Sequence, residues 1–231
     1  LYSATYYDYK DLVVQQHRQN HLGVGPSYGI DRTDFDYTFA GEITKQRTTY
    51  RRPESADLVI LHEYEYDHVG RKKKYFHSID NTRVEVANYK NGKLNGVRTL
   101  YHPNGNKMQE ENYIDDKLEG KVTSYFEDGS LQQEAVYKDN SGNGVWKNYF
   151  KDQKNVVKEE VTIVENKING AFKEFYPNGK LHATGKKIEV NEGPDAFDTY
   201  DGKVEVYDST GTLEKILTFE NGKQIAKEEK K

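Results

Sequence analysis

Six glycines in this 231-residue chain are each followed, five residues later, by an aromatic residue. The pairs are Gly70 with Tyr75, Gly96 with Tyr101, Gly120 with Tyr125, Gly144 with Tyr149, Gly170 with Phe175, and Gly202 with Tyr207. Successive glycines lie 26, 24, 24, 26 and 32 residues apart. A period of this length is typical of proteins in which one supersecondary unit stacks on the next. The spacing therefore predicts a repeat protein.

Two kinds of glycine site alternate along the repeats. The first kind follows Asn, Glu or Asp at positions 96, 120, 144, 170 and 202, and the second kind ends the segments PNG, EDG and STG at positions 105, 129, 179 and 211. Asn-Gly and Asp-Gly between short half-apolar runs favour tight turns, because both central residues accept a positive φ. We expect a turn at each site, and hence one β-hairpin per unit.

The side chains between these glycines alternate as they do in strands. Counting from each first-kind glycine, the second residue is often apolar, as at Val122, Trp146, Phe172 and Val204, and it faces away from the aromatic residue at the fifth position. The predicted fold is all-β: an elongated antiparallel β-hairpin repeat solenoid, in a single layer or lightly rolled. Its aromatic residues would form a ladder that compensates for an apolar content of only 34%.

The array is predicted to occupy residues 41–226, between an N-terminal cap or docking segment at 1–40 and a charged tail at 227–231. The copies would begin near Gly41, Gly70, Gly96, Gly120, Gly144, Gly170 and Gly202. Within the cap, Thr5–Leu22 is predicted to form a helix that Gly23 ends, followed by an irregular loop.

The cleanest copy resembles a known repeat. Its matching residues are Tyr89, Asn91, Gly92, Gly96, Tyr101, Asn104 and Gly105, and a second partial match runs through Gly170, Phe175, Asn178, Gly179 and Leu181. These residues resemble the MORN repeat variant of bacterial proteins labelled YwqK-type antitoxins, although Lys107 stands where the pattern has Leu. The resemblance covers about 41–226 and implies a MORN-like hairpin solenoid. It further implies export in many cases and occasional immunity roles, but no particular chemistry.

Charge and composition narrow the classes of partner. The net charge is −4, so no general attraction to nucleic acid or anionic lipid is expected. The one basic run, Arg71 to Lys74, is interpreted either as a local contact for an anionic headgroup or as a solvated strand that guards a sheet edge.

Location is predicted from weaker signals. The chain has no cysteine and no apolar run of membrane-spanning length, and it begins at Leu1. We expect a processed or truncated amino terminus, with membrane attachment through a lipidated residue upstream as one form of processing. The favoured location is the periplasm or cell surface, as an outer-membrane lipoprotein in one version, and the alternative is the cytoplasm.

Catalytic, metal and cofactor sites are not predicted. His17 and His21 would share a helix face but lack a third ligand. Glu63, Glu65 and Asp67 would share a strand face that either attracts a cation or is simply solvated. No pair of carboxylates is marked out as a glycosidase pair, and no nucleophile elbow or phosphate-binding loop is present.

Function is therefore expected where the period breaks: at the N-terminal segment, at 150–156 and at 188–199. The predicted partner-binding residues are Trp146, Tyr149, Phe150, Asp195 and Phe197, with core packing as the alternative for the first three and a tolerated surface insertion as the alternative for the last two. The predicted function is a non-enzymatic interaction or scaffold module, an exported accessory subunit of a larger assembly. The alternatives are an immunity protein that neutralises a toxin and, less favoured, an enzyme acting on cell-wall glycan.

Overall fold

The computed structural model describes residues 3–19, 30–52, 55–190, 197–220 and 222–230, which contain 22 β-strands and no helix. Strands that are neighbours in sequence pair in an antiparallel manner, as in β-meanders. These pairings confirm the predicted all-β fold of antiparallel hairpins.

The chain folds as two compact units, of which the first comprises Leu1–Lys107 and Ile114–Asp116. Its strands are β1 (Ser3–Tyr7), β2 (Val13–Gln19), β3 (Ile30–Tyr37), β4 (Ile43–Tyr50), β5 (Leu58–Tyr66), β6 (Lys72–Ile79), β7 (Thr82–Lys90), β8 (Lys93–Leu94) and β9 (Gly96–Tyr101). From β1 to β7 each strand pairs with the next, and β7 pairs with both β8 and β9.

The second unit comprises Met108–Tyr113 and Lys117–Lys231. The remaining strands are β10 (Lys107–Ile114), β11 (Lys117–Leu118), β12 (Gly120–Tyr125), β13 (Leu131–Lys138), β14 (Ser141–Gly142), β15 (Gly144–Tyr149), β16 (Val157–Val164), β17 (Lys167–Phe175), β18 (Leu181–Val190), β19 (Phe197–Tyr200), β20 (Gly202–Tyr207), β21 (Leu213–Glu220) and β22 (Lys223–Glu229). In this unit β18 pairs with β17, β19 and β20.

One type of hairpin turn recurs in both units. In the turn at 102–106, the Gly105 amide donates to the His102 carbonyl at 2.9 Å and the His102 amide donates to the Asn106 carbonyl at 2.8 Å. This pattern is a tight turn followed by a bulge whose glycine has a positive φ. The same two bonds occur in the turns that begin at Asp8, Thr38, Asp67, Phe126, Tyr176 and Asp208. Gly41 and Gly70 end turns of this type, so they correspond to Gly105 and do not open a repeat as Gly96 does.

A second type of turn has two central residues, both at positive φ, and joins strands at the other ends. These pairs are Asp80-Asn81, Asn91-Gly92, Asp115-Asp116, Asp139-Asn140 and Glu165-Asn166. Asn, Asp and Gly adopt this conformation at the least steric cost, and the resulting twist suits a two-residue hairpin.

The first-kind glycines lie in bulges, and the prediction of tight turns at these positions was wrong. Tyr137 pairs with Gly142 and Glu134 pairs with Lys147, so the β14–β15 side holds two more residues than β13 between the same pairs. Asn143 and Gly144 lie in this excess, and φ of Gly144 is 97°. Bulges and tight turns both require positive φ, so the Asn-Gly signal alone did not separate them.

The helix predicted for Thr5–Leu22 was also wrong where the structure describes it, because β1 and β2 form a hairpin there. Asp11, at φ 59°, takes the place of the usual glycine in the turn, and the Asp8 carboxylate accepts the amides of Lys10 and Leu12. The β2 strand pairs further with β3, and this pairing overrides the local helical pattern. The predicted boundary at 40/41 falls inside the hairpin β3–β4.

The core of the second unit lies on the sheet face predicted to be apolar. Its buried residues are Val161, Ile163, Phe172, Ala183 and Val204, and Trp146, Ile168, Tyr200, Val206, Leu217 and Phe219 pack against them. The predicted apolar positions Val122, Phe172 and Val204 are all buried. Within the first unit Ala87 is fully buried, and half-buried aromatic rings such as Tyr64 and Tyr75, 5.4 Å apart, contribute the packing.

Three tyrosines at the fifth position donate hydroxyl hydrogen bonds to carboxylates on the sheet face opposite the core. Tyr125 donates to Glu110 at 2.8 Å and Tyr149 donates to Glu134 at 3.0 Å. Tyr207 donates to Glu205 at 2.6 Å. Tyrosine to carboxylate bonds are thus a repeated feature: those of Tyr125 and Tyr149 reach the strand paired before them, and that of Tyr207 lies within its own strand. The proposed ladder of rings stays a prediction for these positions.

Candidate functional site

The structure places the four described members of the predicted partner-binding set in four different environments. Trp146 packs against the core, where its ring lies 5.5 Å from that of Tyr137 and its Nε1 donates to the Val136 carbonyl at 3.3 Å. Tyr149 bonds to Glu134 as described above. Phe197 is 55% exposed at the start of β19, and Asp195 lies outside the described residues. Phe150 lines a cleft in the second unit.

This cleft has a volume of about 430 Å³ and brings two breaks of the repeat period together. Its lining residues are Phe150, Lys158, Glu159, Glu174, Phe175, His182, Lys187 and Asp198. Phe150 begins the irregular connection at 150–156, and Asp198 lies on β19, at the end of the long insertion. Both regions were predicted to carry function, and one residue of each, Phe150 and Asp198, lines this concave surface.

At the base of the cleft lies a buried lysine. The side chain of Lys187 is 9% exposed, and its Nζ lies 2.7 Å from Glu159 Oε1 and 2.9 Å from Glu174 Oε1. Asp198 Oδ2 is 3.6 Å away and considerably more exposed. The ammonium group also lies 4.9 Å from the centroid of the Phe172 ring. Lys187 therefore holds carboxylates from two other strands around one point, with an aromatic face beneath it.

Strand register places Lys187 where the other copies have an apolar residue. It pairs with the bulge glycine Gly170, whereas the residues that pair with Gly120, Gly144 and Gly202 are Tyr137, Ile163 and Phe219. A lysine at this core position costs desolvation that an apolar residue would avoid. The lysine at this position therefore distinguishes this repeat copy from the others.

The charged cluster continues into a chain of hydrogen bonds across neighbouring strands. Gln133 Nε2 donates to Asn148 Oδ1 at 2.9 Å, and Asn148 Nδ2 donates to Glu159 Oε2 at 3.2 Å. The two oxygens of Glu159 thus have separate partners, Asn148 and Lys187. Such a chain fixes the position of the carboxylate before any ligand arrives.

The mouth of the cleft is polar and partly aromatic. His182 Nδ1 lies 3.7 Å from Glu174 Oε2, and the His182 ring is 4.6 Å from that of Tyr176. The Tyr200 hydroxyl lies 3.4 Å from Glu174 Oε1. Glu174 therefore connects the buried lysine to groups at the surface.

The electrostatics of the cluster favour a permanently charged lysine. Burial disfavours the ammonium form of Lys187, but the bonds to Glu159 and Glu174 outweigh it and raise the pKa of Lys187 above its ordinary value. Burial, with the nearby Glu174 carboxylate, raises the pKa of Tyr200. Lys187 is thus a fixed positive charge and not a neutral amine available as nucleophile or base.

The other candidate groups from the sequence are dispersed in the structure. His17 lies on β2 and not on a helix, and its partner His21 lies outside the described residues. Glu63 lies 3.6 Å from both Lys45 and Arg83, while Asp67 accepts the amides of Val69 and Arg71 within a turn. Among the described residues, no group of three His, Asp or Glu side chains is arranged to hold a metal ion.

The basic run was misjudged in one respect, because β6 is an interior strand that pairs with β5 and β7 and guards no edge. Lys72 lies 5.1 Å from the ring centroids of Tyr64 and Tyr89, and Lys74 lies 5.5 Å from that of Phe76. Arg71 pairs with Asp67. These contacts give three members of the run intramolecular partners.

Sequence reasoning missed Glu159, Glu174 and Lys187. Glu174 lies in a repeat that otherwise fits the pattern, and charged residues are frequent in every copy. The available signal was the lysine at 187, where the aligned position in neighbouring copies is Tyr, Ile or Phe. Reading that signal requires the register of strand pairing, which the glycine spacing alone does not fix.

Comparison with known proteins supports the repeat assignment. A family model described as MORN repeat variant matches residues 94–115, 118–139, 168–185 and 200–221, so the chain is similar to this repeat at four places. Phe150, Lys158 and Glu159 lie between the second and third matched segments, and Lys187 and Asp198 lie between the third and fourth. Most of the cleft is thus built from residues outside the matched repeats.

Two further comparisons add little. No curated protein matches the chain. A crystal structure of a porin-like protein from Bacteroides uniformis aligns with 91% of this chain and 92% of that one, at 8% identity and a TM-score of 0.28. A TM-score this low does not establish a shared fold. Separately, the described residues include no helix with the length and hydropathy needed to cross a membrane.

Proposed function

We propose that this protein is a non-enzymatic interaction module that binds another protein through the cleft around Lys187. The observation that carries the proposal is the buried lysine itself, which replaces an apolar residue of the repeat and holds Glu159 and Glu174 in fixed positions. A purely structural copy would be more stable with the apolar residue. The arrangement is better explained by a need for positioned carboxylates at the cleft.

The chemistry of the cleft suits a basic, partly apolar group of the partner. Three carboxylates face two ammonium groups, so the cleft has one more negative than positive side chain. Phe150 and Phe175 add aromatic walls that accept the aliphatic stem of a lysine or arginine. Asp198 is the most exposed of the carboxylates and is expected to make the first contact.

A binding role accounts for the cleft better than catalysis. A glycosidase needs one carboxyl group that is protonated and one that is free to attack or activate water. Here Lys187 forms ion pairs with both Glu159 and Glu174 and occupies one oxygen of each, so neither carboxylate is free to attack or to activate water. The charged lysine is itself unsuited to act as a base.

We further propose that the module is an accessory subunit of an assembly in the cell envelope. This location rests on the resemblance to repeat variants of exported bacterial proteins. An immunity role against a toxin is the second candidate, favoured by the acidic excess of the cleft and by the net charge of −4, which suit a basic toxin. A toxin reading frame beside the gene would support immunity, and recovery in the envelope fraction would support the subunit role.

Site-specific photo-crosslinking tests the binding surface. A photoreactive residue at Lys158, which lines the cleft, is expected to capture one stoichiometric partner from the native source. The matched control places the same residue at Val145, which is 49% exposed in the same unit and, next to core-facing Trp146, points to the other sheet face. Capture of the same proteins from both positions would contradict a cleft-specific partner.

A further inference from the structure

The first three turns of the recurring type, at 8–12, 38–42 and 67–71, carry large apolar side chains at their tips. Tyr9 is 88% exposed, Phe39 is 91% exposed and Val69 is 59% exposed. Each lies at one of the two central positions of a turn with the recurring hydrogen-bond pattern. Exposure at this level means that none of the three stabilises the fold by burial.

The same turn positions are occupied differently elsewhere in the chain. The central pairs are Tyr9-Lys10, Phe39-Ala40 and His68-Val69 in these three turns, and Pro103-Asn104, Glu127-Asp128, Pro177-Asn178 and Ser209-Thr210 in the others. Pro, Asn, Asp and Ser are the residues that this turn geometry favours. The first three turns therefore carry exposed apolar side chains at positions where this turn geometry favours Pro, Asn, Asp or Ser. Such exposed apolar groups indicate a contact surface.

Two grooves lie between these tips and share Phe39 as a wall. The groove between the first and second turns has a volume of about 500 Å³, with Leu12, Phe35 and Tyr37 among its lining residues. The groove between the second and third turns has a volume of about 570 Å³ and includes Tyr64 and Tyr66. Phe39 is thus a protruding ridge with an aromatic groove on either side.

The ridge is held in place by a cation. Lys10 Nζ lies 3.9 Å from the centroid of the Phe39 ring and donates to the Phe39 carbonyl at 3.0 Å. It also lies 5.7 Å from the centroid of the Tyr9 ring. Lys10 therefore links the first tip to the second, and the rings have a defined orientation although they are exposed.

The spacing of the ridges matches one kind of ligand. Consecutive tips are two strands apart, which is about 9.6 Å for strands separated by 4.8 Å. One turn of a polyproline II helix is three residues of about 3.1 Å each, or roughly 9.3 Å. An extended β-strand repeats its facing side chains at about 6.8 Å and does not fit this period. Aromatic grooves at the polyproline spacing are the usual receptors of proline-rich segments.

The charged residues that line the two grooves predict the charge of the ligand. The two grooves are lined by Asp8, Asp36, Glu42, Glu65 and Asp67 against Lys10 and Lys73. Asp36 and Glu65 are exposed, so they are accessible to a partner. We infer that the two grooves bind a basic, proline-rich segment of a partner protein in the polyproline II conformation, with prolines in the grooves on both sides of Phe39. The acidic lining disfavours an anionic bilayer, which makes a lipid surface the weaker match.

This inference rests on the proposed role as a protein-binding module, but it concerns a different unit and is tested separately. The probe is a fluorescent peptide of about 12 residues, roughly four polyproline turns, with a proline at every third position and two arginines. The control peptide has the same composition with its prolines moved off that period. Binding to the full chain is followed by fluorescence anisotropy.

The periodic peptide is expected to bind saturably and to lose at least about tenfold in affinity with Phe39→Ala. Tyr50→Ala removes an exposed aromatic residue of the same unit that lies outside the grooves, and it should leave the affinity unchanged. The double variant Asp36→Asn/Glu65→Gln should lower the affinity for the peptide. The affinity that remains should depend less on salt concentration than that of the wild type. Melting temperatures verify that each variant is folded.

Three results would overturn the inference: no saturable binding up to about 1 mM peptide, equal binding of the control peptide, or capture of the protein by anionic lipid vesicles in a manner that Phe39→Ala abolishes. Failure of the peptide with retained crosslinking at Lys158 would reject the grooves alone. Failure of the crosslink with retained peptide binding would reject the cleft alone.

Discussion

At the scale of single residues, Lys187 is the clearest case of a charged side chain at a buried position where an apolar side chain would avoid the cost of desolvation. Its ammonium group is buried on the core face beside Phe172 and is compensated by Glu159 and Glu174. An ion pair of this kind is often no more stable than well-packed apolar residues. The ion pair therefore acts by fixing positions, because it determines where the Glu159 and Glu174 carboxylates lie.

Removing the lysine should expose this dependence. Lys187→Met is expected to lower the free energy of unfolding by about 3 kcal/mol, because Glu159 and Glu174 then repel each other without a counterion. Lys186→Met is the matched control, since Lys186 makes an exposed ion pair with Asp201 at 2.7 Å and its loss should cost at most about 1 kcal/mol. Urea unfolding measures both values. Equal stability losses would contradict the account of Lys187.

The tyrosine to glutamate bonds predict a loss of stability at high pH. Burial and the hydrogen bond to Glu134 raise the pKa of Tyr149 to about 12, compared with about 10 in the unfolded chain. A raised pKa contributes stability that is complete below pH ~10 and is lost as pH rises towards ~12. Unfolding measured across this window should show a smaller decline for Tyr149→Phe than for the wild type. An identical decline would show that the bond does not couple to folding.

At the scale of elements, the hairpins follow from backbone conformation more than from side-chain packing. The bulge glycines Gly96, Gly120, Gly144, Gly170 and Gly202 all have positive φ. A Cβ atom at Gly120 would meet only Asn112 Nδ2, at 3.8 Å, so space is available there and the constraint is the backbone itself.

Substitution at Gly120 separates these two effects. Gly120→Val should lower the free energy of unfolding by about 1 kcal/mol or more, because φ is 83° there and a β-branched residue resists that conformation. Gly120→Asn should cost less, because Asn tolerates positive φ. Thermal unfolding with both variants provides the test, and equal losses would mean that the cost is not conformational.

Much of the element structure was predictable, and the failures have a common cause. The glycine period predicted the strands and the face that carries Phe172 and Val204, because turns and alternation are local properties. The distinction between bulge and turn at Gly144, and the hairpin around Asp11, depend on which strands pair. Pairing is set by the whole sheet, so a local pattern does not determine it.

At the scale of the whole molecule, structure and binding are assigned to different residues. The repeating glycines and apolar positions build the units. The grooves draw on the first three turns of the recurring type, and most residues of the cleft lie outside the matched repeats: Phe150, Lys158, Glu159, Lys187 and Asp198. The cleft region was predictable as a break in the period. Its chemistry was not, because the meeting of Lys187 with Glu159 and Glu174 depends on the register of two strand pairs, β16–β17 and β17–β18.

The most direct test of this division is partner binding by the Asp198→Asn variant, with Val204→Ala as the comparison. Asp198 is exposed at the cleft, so its variant should keep the wild-type free energy of unfolding within about 0.5 kcal/mol and lose at least about tenfold in affinity for the crosslinked partner. Val204→Ala shortens a fully buried side chain and should lose about 2 kcal/mol of stability, while its folded fraction still binds. Unchanged partner affinity in Asp198→Asn would contradict the account.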